Sequence, residues 1–400
     1  MMRNSTTSRL SKLAYGLLSV LLVGALAACG NDNKDVNASA GAPASSQSAS
    51  QAAGDNSAIQ DGTSKLQEAT TKLQEAIAAK NLDETKKLGK SVNEAWLSYE
   101  NAVRQAFPLE YTEVEKYVMP IFSASAYDKI DFDSLSLTAG KLQEALTALK
   151  NAKPTTASTN ELLLKAVDNY KKYVQEQADE MVARIQSFTD AVKAGNVDEA
   201  KRLYPLARVN YERIEPIAES FGDLDPRIDA READVEDLSQ WTGIHRIEKA
   251  LWVDNSLEGM AKYADQLLAD VKELQKQIST FELEPKGMVA GAMELLNEAA
   301  TSKITGEEEI FSHLDLVDFA ANVEGSKTVY LSIIPALNEK NPDLGNQIDA
   351  QFQKMEQVLL AHQSNGVYVT YDKLTDEQIR QISDELSLLS TLMSQTASIL

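Results

Sequence analysis

Apolar residues recur through most of this chain at the spacing of an α-helix. Two stretches show the 3.6-residue period clearly, with apolar positions at Leu66, Ala69, Leu73 and Ile77, and at Leu162, Leu163, Ala166, Tyr170 and Val174. We find no alternating run that is typical of a strand, and no Asn-Gly or Asp-Gly hairpin signal between apolar runs. The pattern therefore predicts an all-α fold from about residue 58 onward.

Proline and glycine divide this helical pattern into segments. A proline inside a helix removes a backbone hydrogen bond and a glycine weakens the helix, so both favour a break. Breaks are expected at Pro108, Pro120, Pro154, Gly195, Pro226, Pro285, Gly306 and Pro335. Segments of roughly ten to thirty residues joined by short loops are typical of a helical bundle.

A short pattern occurs twice in the chain. Residues 76–88, AIAAKNLDETKKL, match residues 191–203, AVKAGNVDEAKRL, at an offset of 115. The match predicts two duplicated four-helix bundles, over about 58–155 and 158–400. Coincidence among helices rich in Ala, Lys and Glu is the alternative.

Residues 1–28 have the composition of a lipoprotein signal peptide. Positive charges at Arg3, Arg9 and Lys12 precede an apolar stretch that ends in small residues. The sequence Leu-Ala-Ala-Cys that ends at Cys29 has the form of a lipoprotein cleavage site, which predicts lipid attachment at this only cysteine. An ordinary signal peptide with an incidental cysteine is the alternative. We expect the protein on the extracytoplasmic face of the cell membrane, held there by the lipid alone.

Residues 29–57 are rich in Ala, Ser, Gly, Gln and Asn and carry almost no large apolar side chains. Such a composition buries too little surface to offset the entropy cost of ordering, so we expect a flexible linker. The folded helical domain is expected over 58–400. No stretch outside the leader has the roughly 18 uninterrupted apolar residues that a membrane span requires.

The chain is strongly acidic, with a formal net charge of −21. A surface this acidic repels nucleic acid and attracts cations, so no nucleic-acid partner is expected. Many secreted helical proteins are acidic for solubility alone. The charge therefore supports a cation ligand without establishing one.

The pair His245 and Glu248 is the strongest chemical signal in the sequence. On a helix, residues three apart project from the same face, and here that face borders an apolar stripe containing Ile247 and Leu251. Neutral imidazole and ionised carboxylate are common nitrogen and oxygen ligands of metal ions. A helix salt bridge or a hydrogen-bonded core histidine is the alternative.

Several segments together resemble a known family. They are Tyr211–Asp225 (YERIEPIAESFGDLD), Trp241–Trp252 (WTGIHRIEKALW), Lys303–Glu309 (KITGEEE) and Asp315–Gly325 (DLVDFAANVEG). From about residue 60 to the C-terminus the chain resembles the imelysin-like family, in its EfeO/EfeM iron-uptake branch. The resemblance implies an all-helical domain of two related bundles with a site between them.

The resemblance also implies roles for particular residues. His245 and Glu248 match the family's His-x-x-Glu motif and are expected to be direct metal ligands. Glu212 and Glu215 are expected to add carboxylates, because Pro216 kinks their helix and can aim them inward. A solvated acidic helix face is the alternative for these two glutamates.

Two further candidate ligands lie close to turns. Asp229 is the preferred ligand of its loop, in which Asp225 is expected to cap the next helix. Thr305 and Glu308 fit a capping box, but the family keeps acidic residues near the site at this turn, so Glu308 is also a candidate ligand. His362 is expected at the surface.

One histidine with several carboxylates suits iron or manganese, also accepts zinc, and gives no grounds for a copper site. The resemblance implies an iron-binding component of an EfeUOB-type uptake system, which presents the ion to an EfeU-like permease beside an EfeB-like haem peroxidase. Larger EfeO proteins carry a cupredoxin-like domain, and residues 30–57 are too short for one. This chain is therefore expected to be a form with the helical domain only.

No enzyme activity is expected. A metallopeptidase of the imelysin type is the first alternative, although the chain has three histidines and lacks the His-Glu-x-x-His motif of zinc peptidases. A non-catalytic lipoprotein that binds polysaccharide or surfaces is the second.

Overall fold

The computed structural model describes residues 46–125, 129–154, 158–235 and 237–400. The expected signal peptide, the lipid-attachment residue Cys29 and the first part of the expected linker lie outside these residues. The first helix begins at Ser46, inside the range 29–57 that was expected to be a flexible linker. The division of the chain into linker and helical domain stays a prediction.

The described residues confirm the prediction of an all-α fold. They form fourteen α-helices: α1 Ser46–Ala78, α2 Leu82–Leu97, α3 Glu100–Ala106, α4 Pro108–Ala124, α5 Phe132–Asn151, α6 Glu161–Lys193, α7 Val197–Ile214, α8 Leu224–Asp229, α9 Ile244–Lys249, α10 Ala261–Ile278, α11 Pro285–Thr301, α12 Asp315–Lys340, α13 Pro342–Leu360 and α14 Asp376–Ser394. A 3-10 segment, Glu215–Phe221, follows α7, and a π-helical turn, Ala250–Asp254, follows α9.

The two copies of the repeated pattern adopt the same local geometry. Each copy ends one helix and turns through a residue with positive φ, Lys80 at 51° in the first and Gly195 at 69° in the second. Each then starts the next helix at an asparagine, Asn81 or Asn196, whose side chain accepts a 3.2 Å hydrogen bond from the amide three residues on. These caps satisfy amides that have no partner within the helix. The duplication itself stays a prediction.

Two of the expected helix breaks are absent. Pro120 lies inside α4 and Pro335 inside α12. Proline removes one hydrogen bond but keeps a helical φ, and the packing of neighbours such as Ile121 and Ile333, both buried, holds the helix together. At Pro216 the expected kink is a change from α7 to the 3-10 segment.

A small β-hairpin is an element that the sequence pattern did not predict. Strand β1, Gln363–Ser364, pairs antiparallel with β2, Val367–Tyr368. The intervening Asn365 and Gly366 have φ of 52° and 79°, the left-handed values that favour an Asn-Gly turn. Each strand has only two residues, which is too short to show alternation of apolar and polar positions in the sequence.

The helices enclose two separate clusters of buried apolar residues. One is formed within α1 to α5, where Trp96 stacks on Tyr111 with ring centroids 5.6 Å apart. The other extends from α6 to the C-terminus, where α6 packs on α7 and α10, and α12 packs on both α6 and α7. Contacts of α11 with α4 connect the two groups of helices. No described helix is both long and apolar enough to cross a membrane.

Helix α11 approaches the 3-10 segment so closely that only glycine fits at the contact. A Cβ atom on Gly291 would lie 1.7 Å from the carbonyl oxygen of Pro216. This contact fixes the backbone beside Glu215, one of the expected ligands. Packing of α11 therefore positions part of the candidate site.

We predict that Gly291→Ala destabilises the protein by about 1–3 kcal/mol or more, because the added methyl group forces the backbones of α11 and Pro216 apart. Chemical denaturation measures the effect. Gly140→Ala in α5 is the matched control, since a Cβ there meets nothing within 4 Å. It is expected to stabilise by about 0.4–1 kcal/mol. Equal effects of the two substitutions would contradict the packing argument.

Candidate metal centre

The expected site residues come from separate elements that converge in the interior. Helix α7 and the 3-10 segment carry Glu212 and Glu215, and α9 carries His245 and Glu248. Asp229 ends α8, while Glu308 lies in the turn before α12. His245, Glu248, Glu212 and Glu308 are buried. The structure thus brings all the predicted ligand candidates into one cluster.

The start of α9 is held against α8 by a glycine. Gly243 has a φ of 86°, and a Cβ there would lie 2.5 Å from the carbonyl oxygen of Ile228. Only glycine adopts this conformation at so close an approach without strain. The contact places His245 beside Asp229, which follows Ile228 in the chain.

The two ring nitrogens of His245 face different carboxylates. On one side, Nε2 lies 3.5 Å from Oδ1 of Asp229 and 3.9 Å from Oε1 of Glu308. On the other side, Nδ1 lies 2.8 Å from Oε2 of Glu248. The second oxygen of Glu248 accepts hydrogen bonds from the backbone amides of Phe311, at 3.1 Å, and Ser312, at 2.7 Å.

This arrangement separates the roles that His245 and Glu248 can take. Glu248 is anchored at both oxygens and faces Nδ1, so it can fix the ring orientation, as carboxylates behind metal-binding histidines commonly do. Nε2 faces the open group of carboxylate oxygens from Asp229 and Glu308. A second group that could hold an ion consists of His245, Glu248 and Glu309.

The guanidinium of Arg208 lies at the centre of the cluster and is buried. Its Nη1 lies 2.5 Å from Oδ1 of Asp229, and its Nε lies 2.7 Å from Glu309 and 3.1 Å from Asp318. Nη2 pairs with Glu212, four residues later on α7. Buried carboxylates need such compensation, because charge transferred from water without a partner is costly.

The ammonium of Lys303 provides the second buried positive charge. It lies 2.6 Å from Glu215, 3.3 Å from Glu308 and 3.9 Å from Glu212. The side-chain amide of Asn322 bridges Glu212, at 3.0 Å, and Glu215, at 2.5 Å. Within the described residues Oδ1 of Asn322 has no hydrogen-bond partner although it is buried.

Two carboxyl groups next to these cations are held ionised. Burial opposes ionisation of Glu308, but Lys303 and His245 outweigh it and hold the pKa of Glu308 well below its usual value. Burial is likewise outweighed at Glu212, where Arg208 and Lys303 lower the pKa. These groups are carboxylates at neutral pH, the form that binds a cation.

Other groups in the cluster hold protons. Burial, with the neighbouring Glu248, raises the pKa of Glu309 to about 8, and burial raises the pKa of Asp318 well above its usual value. Burial and Arg208 oppose protonation of His245, but hydrogen bonds with Glu248 and Glu308 outweigh them and raise the pKa of its imidazole. The cluster therefore carries protons that a cation can displace.

A cavity of about 250 Å³ borders the cluster. Asp229, Glu308 and Lys303 line it. Its other acidic lining residues are Glu215, Glu219, Asp225, Asp234, Glu294 and Glu298. Ionised carboxylates in a cleft attract cations, so this cavity offers them an approach to Glu308 and Asp229.

Some residues of the cluster were missing from the predicted set, namely Arg208, Lys303, Glu309 and Asp318. One signal for Arg208 was available, because it lies one helical turn before Glu212 and one after Tyr204, which is also buried. A charged residue on the buried face of a helix implies a partner there. The other three lie within the segments that carry the family resemblance.

Several local predictions were wrong. Asp225 accepts a hydrogen bond from the hydroxyl of Tyr211 and does not cap α8. Thr305 ends a 3-10 turn and donates to the carbonyl of Ser302, so it forms no capping box with Glu308. His362 is buried, although no acidic partner was visible in its sequence neighbourhood. Tertiary contacts decided each of these positions.

Comparisons with known proteins agree with this architecture. A family model described as imelysin (Peptidase_M75) matches residues 166–399. Iron uptake system component EfeM of Bacillus subtilis is 46% identical over 318 residues, which cover 79% of this chain and 83% of that protein. The Efem/EfeO family lipoprotein of Staphylococcus haemolyticus is 43% identical over 62% of this chain and 88% of its own length. Iron uptake system component EfeO of Escherichia coli K12 is 40% identical over 72% of this chain and 79% of its own length. The chain therefore belongs to the imelysin family, among relatives that are named EfeM and EfeO.

Proposed function

We propose that this protein binds iron at the buried cluster around His245 and serves as a component of an iron uptake system. The observation that carries the proposal is the position of Nε2 of His245, within 3.9 Å of carboxylate oxygens from Asp229 and Glu308. The names of the relatives as iron uptake components support iron as the ion. An iron ion here is cargo rather than a resident cofactor.

The proposed direct ligands are His245 through Nε2, Asp229 and Glu308. Glu212 and Glu215 lie beside Glu308, around the ammonium of Lys303, and are proposed to complete the coordination or neutralise the charge of the ion. Glu248 is proposed to orient the imidazole rather than to share its ligand position, because it faces Nδ1.

The donor set is compatible with iron but does not by itself distinguish iron from the other metals that a cell offers. Carboxylate oxygens with one imidazole nitrogen suit Fe²⁺, Fe³⁺ or Mn²⁺, and zinc competes for such ligands. A soft thiolate or thioether ligand of the kind that copper prefers is not part of the expected set. Selectivity between these ions then depends on the geometry of the cluster.

The proposed location is the extracytoplasmic face of the cell membrane, with a lipid on Cys29 as the anchor. A relative's description as a lipoprotein supports this location. In the proposed sequence of events, the protein passes iron to an EfeU-like permease, with an EfeB-like haem peroxidase as a further partner. The resemblance to EfeO and EfeM proteins implies both partners.

The competing function is that of a metallopeptidase, because the description of the matching family model includes the name Peptidase_M75. Zinc peptidases use two histidines on one helix with a glutamate as general base. In the described residues each group that could hold a metal contains a single histidine. We therefore favour binding and transfer of the ion over catalysis.

We predict that His245→Ala weakens Fe²⁺ binding by about 100-fold or more, since it removes a proposed direct ligand, and that Asp229→Asn and Glu308→Gln act similarly. Glu248→Gln is expected to cost about 10–100-fold, the range typical of residues that orient a ligand. Anaerobic titration of the purified protein with Fe²⁺ measures these affinities. Glu144→Gln on the exposed surface of α5 is the matched control and should leave binding unchanged.

Equal binding by the wild type and His245→Ala would show that the titration reports the diffuse acidic surface. The proposed ligand set would then have to be withdrawn. Loss of binding in the Glu144→Gln control would indicate a nonspecific charge effect instead.

We predict that the apparent affinity for Fe²⁺ rises as the pH increases from about 6 to 8. The raised pKa values of Glu309, about 8, and of His245 mean that both groups hold protons at lower pH, and these protons compete with the ion. Calorimetry in buffers of different ionisation enthalpy measures the protons released. Glu309→Gln should release fewer protons, and an affinity independent of pH would contradict the prediction.

We predict no hydrolysis of casein or of a peptide library by the protein loaded with Zn²⁺, because each group of described residues that could hold a metal contains a single histidine. Release of new amino termini measures the activity. Hydrolysis that is abolished in His245→Ala would overturn the binding-only proposal in favour of the peptidase.

A further inference from the structure

Arg208 touches the same atoms that the proposed ligands offer to an ion. Its Nη1 lies 2.5 Å from Oδ1 of Asp229 and 3.2 Å from Nε2 of His245, while Nη2 lies 3.5 Å from Oε1 of Glu308. Asp229, His245 and Glu308 form one of the groups that could hold a metal, in which one ligand atom from each residue lies within 4.8 Å of the others. One edge of the guanidinium thus spans the proposed ion position.

We infer that Arg208 is an internal competitor of the metal ion, which binds only when the Nη1 edge of the guanidinium withdraws from Asp229 and His245. The inference rests on the proposed function and adds to it a residue that sets the affinity of the site. Nothing in the proposed binding reaction otherwise gives Arg208 a role beyond charge compensation.

The distances place the ion and Nη1 in competition for the same two atoms. Oδ1 of Asp229 and Nε2 of His245 are 3.5 Å apart, and an ion bonded to both lies about 2.0–2.2 Å from each. Nη1 already lies 2.5 Å from one of these atoms and carries protons directed at it. An ion and Nη1 at the same pair of atoms would also place two positive charges in contact, where little water screens their repulsion.

The structure offers the guanidinium other acceptors after it releases the ligands. Nε lies 2.7 Å from Glu309 and 3.1 Å from Asp318, and Nη2 pairs with Glu212. Glu212 is on α7 itself, Glu309 is in the turn before α12 and Asp318 is on α12; none of the three lines the cavity that Asp229 and Glu308 line. Arg208 can therefore pivot while Glu309 and Asp318 still accept hydrogen bonds from Nε, and the ionised Glu212 still compensates its buried charge.

A competitor that is covalently part of the protein lowers the apparent affinity by a fixed factor. The ion binds the conformer with Arg208 withdrawn, so its apparent Kd is the intrinsic Kd divided by the fraction of that conformer. An internal competitor therefore weakens binding of the ion and also makes its release easier. A protein that must pass its cargo on benefits from this property.

The first test measures Mn²⁺ affinity by electron paramagnetic resonance of the free ion, in the wild type, Arg208→Gln and Arg208→Lys. Removal of the competitor is expected to tighten Mn²⁺ binding about tenfold or more in Arg208→Gln. Arg208→Lys keeps the charge but loses the two-pronged edge, so an intermediate gain is expected. Arg213→Gln, on the same helix but paired with Glu324 away from the cluster, is the charge-matched control and should change affinity little.

Weaker binding in Arg208→Gln, with the variant folded by circular dichroism, would overturn the inference and make Arg208 a residue that positions the ligands. A gain of the same size in Arg213→Gln would reduce the effect to general electrostatics and also overturn it. If Arg208→Gln does not fold, the second test decides, because it uses the wild-type protein.

The second test is a crystal structure of the wild-type protein with Mn²⁺, in which anomalous scattering locates the ion. An ion bonded to His245 and Asp229, with Nη1 of Arg208 more than 3.5 Å from Oδ1 of Asp229, would support the inference. An ion at these ligands with Nη1 still in place would overturn the inference and leave the proposed function intact. An ion located elsewhere, or none, would overturn both.

Discussion

The interior of the protein holds a cluster of carboxyl groups from α7, α8, α9, α12 and the turn before α12. Positive charges among these groups offset the free-energy cost of burying them. Arg208 contacts more of these carboxyl groups than Lys303 does, because its guanidinium reaches Asp229, Glu309 and Asp318 as well as Glu212. The planar guanidinium can serve several carboxylates at once, which a lysine ammonium does less well. The convergence of the helices on this point depends on that interaction.

The scaffold around the cluster is held by close backbone contacts. Gly291 brings α11 onto Pro216, and Gly243 brings the start of α9 onto Ile228, each at a distance that excludes a side chain. Loops that carry ligands are usually mobile, but here short elements carry them between long packed helices. Close packing of this kind limits how far the ligands can move, whereas the proposed withdrawal of Arg208 needs only rotation about its side-chain bonds.

The sequence predicted the parts of this structure that depend on local pattern. The helices follow from apolar periodicity, and the pairing of His245 with Glu248 follows from their spacing on one turn. Glu308 and Asp229 were placed by resemblance, since their turns carry no periodicity that fixes a direction. Arg208 was not predicted as part of the site, because an arginine in a helix is usually exposed and its partners are far away in sequence. Ion pairs between residues that are far apart in the sequence leave no local sequence pattern.

The distribution of charge in the cluster connects the fold with the proposed transfer of iron. The ammonium of Lys303 and the protons on Glu309 and Asp318 offset negative charge in the cluster. Without them, the proposed site would hold a cation more firmly and release it less readily. In the proposed binding reaction, incoming metal exchanges with these positive charges, so binding is a substitution rather than a simple addition. Such a substitution limits the change in buried charge when the ion enters or leaves. Under this proposal, the closely packed helices hold the ion and release it without repacking.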